Sequence, residues 1–215
     1  MDKRLNQLTK DYCALMLDVR VRNDAINNIL VEPGLMPPRL VREFCYLQLR
    51  MIAELVALGC VVLHDQLPAT QVKKLRKDYN ADRILKDIEG YEPGFFPRAI
   101  ERVREVSPGH KEVEPVQPPV MTASDLRRIW GRTGDVLHWG TVNKMRERTD
   151  IDPKHKDVRL LQRKFVDLLS VHFVLTAKET QPFICELHSA ATGGVRMVAV
   201  GIQLDPSDPR QYRSS

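Results

Sequence analysis

Between Arg127 and Gly140 the chain reads RRIWGRTGDVLHWG, the stretch whose residue types come closest to chemistry. Arg127, Arg128, Arg132, Asp135 and His138 lie there in the company of two tryptophans, Trp130 and Trp139. A guanidinium offers a phosphate fixed positive charge and paired N–H donors, while an imidazole passes a proton near neutral pH. Arg132 and His138 would therefore suit phosphodiester cleavage, and Arg127, Arg128 and Arg132 would hold a nucleic-acid backbone. A plainer use of the same residues is structural. Asp135 lies three residues from both Arg132 and His138 and could pair with either, while Trp130 and Trp139 fill core. Six residues turn ~240° on a regular α-helix, so Arg132 and His138 share a face only if the helix is distorted.

The spacing Arg132-x5-His138 resembles the Arg-x(4–6)-His motif of HEPN-type proteins. The resemblance covers this motif and, more loosely, the helical first two-thirds of the chain. The strands from Val171 onward lie outside it. It implies a small helical bundle that forms a homodimer, with the motif helices of both copies making one composite site. It also implies metal-independent RNA cleavage with Arg132 and His138 as the catalytic residues, and no cofactor.

A second constellation lies near the C-terminus. If Phe173 pairs with Leu187 across the AKETQ turn, His172 faces His188 with Glu186 beside them. Two imidazoles and a carboxylate could ligate zinc or another divalent ion. The opposite face would then carry Phe173, Leu175, Cys185 and Leu187 as core. Polar residues on the solvent side of a sheet are equally the ordinary expectation, and a one-residue slip destroys the cluster.

These residues need elements to hold them. The longest apolar-periodic run, Pro38 to His64, predicts a core helix with Phe44, Leu47, Met51, Leu55, Leu58 and Val62 on one face. A polar stripe of Arg39, Arg42, Glu43, Tyr46, Arg50 and Glu54 runs along it and stops at Glu54. Asp2 to Val31 predicts a preceding helix, and the break VEPGLMPP favours an antiparallel hairpin of the two. Shorter helices are expected over 71–79, 80–89 and 99–106. Ser107 to Val120 holds four prolines and reads as a linker or strap. Thr122 and Asp125 have capping-box spacing and should start the next helix. Thr141 to Arg148 and Val158 to Leu169 are expected to be helical. VHFVLT, PFICELHS and VRMVAVGIQ then change period to that of strands, predicting a three-stranded antiparallel meander.

The fold class is therefore α+β: a helical bundle over 1–106, a proline-rich segment over 107–120, helices and a meander over 121–205, and a loose tail over 206–215. The second and third parts could be integrated with the first. At 215 residues the chain can bury a sizeable core, and 43% hydrophobic with 28% charged residues is ordinary for a globular protein. Cys13, Cys45, Cys60 and Cys185 form no C-x-x-C pair and are expected to be reduced and structural. No signal peptide is evident, and Leu55 to Leu63 is about half of a membrane span, so the expected location is cytoplasmic without a membrane partner. The net charge of +5 arises between Met121 and Lys164, where eleven Lys and Arg meet six Asp and Glu. That suits an anionic partner, RNA above all. The leading expectation is a HEPN-like nucleic-acid- or nucleotide-binding protein with ribonuclease character. The alternative is a non-catalytic interaction or regulatory module, and a small metalloenzyme on the meander stands third.

Overall fold

Helix α2 (Pro38–Leu63) is the element against which most of the other helices pack. The structure is a computed structural model that describes residues 3–64, 69–75, 77–78, 80–107, 110–138, 154–176 and 179–199. α1 (Lys3–Val31) runs back along α2 as the predicted hairpin. α3 (Ala69–Leu75) and α4 (Ala81–Glu89) follow, then strands β1 (Arg98–Ser107) and β2 (His110–Pro115). α5 (Ala123–Leu137) and α6 (Lys156–Leu169) lead into β3 (Val171–Thr176), β4 (Glu179–Glu186) and β5 (Arg196–Ala199). The protein is α+β, mainly helical, with a small antiparallel sheet in the order β2-β1-β3-β4-β5. The helix expected over Thr141 to Arg148, Trp139 and the 206–215 tail lie outside the described residues.

The face of α2 that enters the core is not the one predicted. Val41, Cys45, Leu49, Ile52, Ala53, Val56, Ala57, Cys60 and Leu63 are buried, whereas of the six predicted residues only Leu55 is. The reason is the size of the side chains. Cys45, Ala53, Ala57, Gly59 and Cys60 are small and let neighbouring helices approach closely. A Cβ on Gly59 would come within 2.9 Å of the Tyr12 ring. By length and composition α2 could cross a membrane, with mean hydropathy 1.7 over 18 residues, but 61% of that window is buried inside the fold.

The meander forms as β3-β4-β5, and two strands extend it. Residues 99–106, expected as a helix, are most of β1, and the expected linker supplies β2. Ile100, Val103 and Val106 fit a helical step, yet β-branched residues also suit a strand. Cross-strand pairs then decide. Arg102 lies opposite Glu114, and both Arg102 and Arg104 pair with the Glu114 carboxylate. The capping box of α5 forms as predicted: Thr122 Oγ1 accepts from the Asp125 N–H at 3.2 Å, and the Asp125 carboxylate accepts from the Thr122 N–H at 2.9 Å. One cluster of buried side chains runs from Leu8 on α1 to Met197 on β5.

Candidate functional site

The polar stripe of α2 faces α5 and α6 and determines what those helices can present. Asp157, in the first turn of α6, accepts from Arg42 Nε at 2.9 Å, Arg42 Nη2 at 2.6 Å and the Tyr46 hydroxyl at 2.8 Å. Burial alone would raise the Asp157 carboxyl. Those hydrogen bonds and the Arg42 charge outweigh it, and Asp157 sits below the usual carboxylate range. Burial, helped by the Asp157 charge, pushes the Tyr46 hydroxyl up. One turn later, Arg50 lies over the Trp130 ring at 4.1 Å and pairs with Glu54 at 3.2 Å. The same Glu54 oxygen accepts from the Trp130 indole N–H at 2.9 Å. A Cβ at Gly134 would meet Arg50 Nη1 at 2.8 Å, so this glycine makes room for the guanidinium. These contacts fix α5 and α6 on α2.

The predicted arginines divide on this frame. Arg127 donates to Asp82 at 2.7 Å and lies 3.8 Å from Glu89, tying α5 to α4 with its side chain 23% exposed. Its main part is structural. Arg128 pairs with Asp125 of its own helix while remaining largely exposed. Arg132 is exposed and has no ion pair among the described residues. Its charge nonetheless offsets a small part of the rise in the Tyr46 hydroxyl that burial and Asp157 produce. Asp135, which could have neutralised Arg132 or His138, is exposed and forms no ion pair among the described residues. Trp130 is packed, as the plainer reading held.

His138 caps the C-terminus of α5, exposed, with φ −90 and ψ 139. Its backbone has left the helix, so the ~240° separation of a regular helix no longer governs where it stands relative to Arg132. No hydrogen bond joins these two described side chains. α6 adds what the sequence pattern alone does not assign. Lys156, Arg159, Arg163 and Lys164 are exposed along one side of it, with Asp167 the acid among them. The Arg163–Asp167 pair is 77% and 42% exposed and therefore weak. Burial pushes the Cys45 thiol up to about 11, and the charge of Arg159 offsets only part of that rise. α5 and α6 dock on the same polar stripe of α2, α6 at Arg42 and Tyr46 and α5 at Arg50 and Glu54. The signal in the sequence was the helical period of basic residues from Lys156 to Lys164.

The meander constellation is corrected by register. Phe173 pairs with Ile184 and His172 with Cys185, three residues away from the expected pairing. An odd slip turns the strand over. His172 therefore points inward, fully buried, while Glu186 and His188 belong to the outer side. No metal-ligating trio of His, Cys, Asp or Glu exists among the described residues. His172 Nδ1 is 2.9 Å from the Leu169 carbonyl and Nε2 is 2.8 Å from the Tyr12 hydroxyl. The carbonyl can only accept, so Nδ1 carries the proton and Tyr12 donates to Nε2. Burial lowers the His172 pKa to about 4 and raises that of Tyr12 well above its ordinary value.

Compared with protein-family models, curated proteins and solved structures, the chain matches none of them.

Proposed function

We propose that this protein binds RNA through the exposed faces of α5 and α6, with Arg132 and Arg159 at the centre of the contact. The observation that carries this reading is that these two exposed cations stand on the two helices that dock on the polar stripe of α2, α6 at Arg42 and Tyr46 and α5 one to two turns on at Arg50 and Glu54. Neither has an ion pair among the described residues, so their charge is available to a phosphate. Arg163, Lys164 and Lys156 continue the basic side along α6 for about 12 Å at ~1.5 Å per residue, the span of two to three phosphates. Among the described residues of α5 and α6 no aromatic is exposed, and these cations would contact the phosphate backbone. Cleavage is the stronger form of the same reading. His138, exposed at the end of α5, is the proton carrier, and Arg132 stabilises the phosphate charge, as in the HEPN motif it resembles. The setting would be the cytoplasm.

Reversing Arg132 and Arg159 to glutamate together is expected to weaken RNA binding at least tenfold at low salt. The slope of log affinity against log salt should flatten by about two, one for each arginine that no longer neutralises a phosphate. Lys73, at a distance on α3, serves as the comparison, and its reversal should change little. Filter binding across a salt series measures both. Equal affinity for the double variant and the parent ends the proposal.

A further inference from the structure

Leu160 is the misfit on the basic side of α6. Its side chain is 62% exposed, and the exposed cations Lys156, Arg159, Arg163 and Lys164 all stand within a helical turn or so of it. At ~100° per residue, Lys156, Arg159 and Arg163 lie within about 100° of it on one side of the helix, and Lys164 about 40° away on the other. Asp157 is on the Lys164 side and bonds Tyr46. That side is therefore turned towards α2 and, farther along the same polar stripe, towards α5 with its exposed Arg132. An exposed leucine thus lies between two rows of positive charge. The rest of α6 is sunk into the fold, with Val158, Leu161, Phe165 and Leu168 buried. Of a helix ~10–12 Å across with its side chains, about half stands proud of the surface, roughly 5–6 Å.

We infer that the RNA bound here is a duplex, held by its minor groove, with Leu160 against the riboses of the groove floor. This rests on the RNA-binding reading above and names the form of RNA that the site takes. Two rows of cations suit two lines of phosphates. A groove between paired strands presents both lines, whereas a single strand presents one. The apolar side chain between the rows must lie on something other than phosphate, and the sugars offer it C–H surface. Depth then selects the groove. The major groove of B-form DNA is ~8.5 Å deep, more than α6 stands out, and its minor groove, ~6 Å wide, is narrower than the helix. The major groove of A-form RNA is deep and narrow, while its minor groove is wide, shallow and lined by ribose 2′-hydroxyls. A half-sunk helix reaches the floor of that last groove alone. Asp167, about two turns beyond Leu160 on the same side and paired with Arg163, marks the end of the contact, because a carboxylate repels phosphate.

Fluorescence anisotropy at one low salt concentration compares a duplex RNA of about 20 base pairs, one of its strands alone, and the duplex DNA of the same sequence. The RNA duplex is expected to bind about tenfold tighter than either of the other two. Leu160→Ala changes no charge, and should weaken the RNA duplex by about three- to fivefold and the single strand less. Leu160→Glu, which sets a carboxylate among the phosphates, should weaken the duplex by more than about tenfold. Unaltered melting curves show that each variant is folded. Equal affinity for the RNA duplex and its single strand, equal or tighter binding of the DNA duplex, or an undiminished affinity of Leu160→Ala for the RNA duplex each overturns this inference and leaves RNA binding in place. Binding of none of the three overturns it together with the RNA reading.

Discussion

Two histidines that the sequence marks alike, His138 and His172, end in opposite surroundings. His138 stands exposed at the end of α5. His172 is enclosed between α1 and β3, with both ring nitrogens engaged and its tautomer fixed. The difference lies in what the neighbouring elements demand. The C-cap of α5 leaves its side chain to solvent, whereas an inward strand position must satisfy every polar atom it brings. A residue type thus names a possible chemistry, and its burial decides whether that chemistry is open to a substrate or used up in holding the fold.

The comparison can be pressed hardest at His172. His172→Ala should cost about 3 kcal/mol, from the cavity and from the Tyr12 hydroxyl left without its acceptor. A urea titration measures it, and a loss below 1 kcal/mol would show that the hydrogen bond to Tyr12 is dispensable. Acid acts on the same residue. The folded pKa of about 4 lies below the ordinary 6.5, so the unfolded chain binds the extra proton first. Stability is therefore complete above pH 6.5 and falls by on the order of 3 kcal/mol as pH drops towards 4. His172→Gln should flatten that window. Asp157, held below its ordinary 3.8, gives a contribution that is lost only as pH falls through and below that value, so the two effects separate. The smallest effect belongs to His138. His138→Ala should change stability by less than about 0.5 kcal/mol, as exposed positions commonly do. If the chain cleaves RNA, that variant loses the activity while keeping its melting midpoint.

Much of this was legible along the chain. The α1–α2 hairpin, the capping box at Thr122 and the three C-terminal strands follow from local signals: helix period, turn residues, a side chain three positions from its cap. Where the pattern misled, the deciding partner was distant. Residues 99–106 pass for a helix until Glu114 is known to lie opposite Arg102. Phe44 to Val62 look like the core face of α2 until Tyr12 and its neighbours choose the small residues instead. The register of β3 on β4 depends on a bulge between Val174 and Thr176 that no pattern of residues announces. Arg132 was visible by type. That it has no ion pair among the described residues while Arg127 is drawn to Asp82 is a property of the α4–α5 packing.

The sheet has a seam. Among the described residues β1 joins β3 through two facing pairs, Arg98 with Phe173 and Ala99 with His172, whereas the hairpin and the meander are each laced along most of their length. A ladder so short gives little cooperativity across it, so the β1–β2 hairpin can detach while the meander and the helices stay intact. In amide hydrogen exchange the hairpin would lose its protection as one unit, ahead of the rest. The molecule then carries a partial opening among its accessible states, and that opening starts beside the histidine buried between α1 and the sheet.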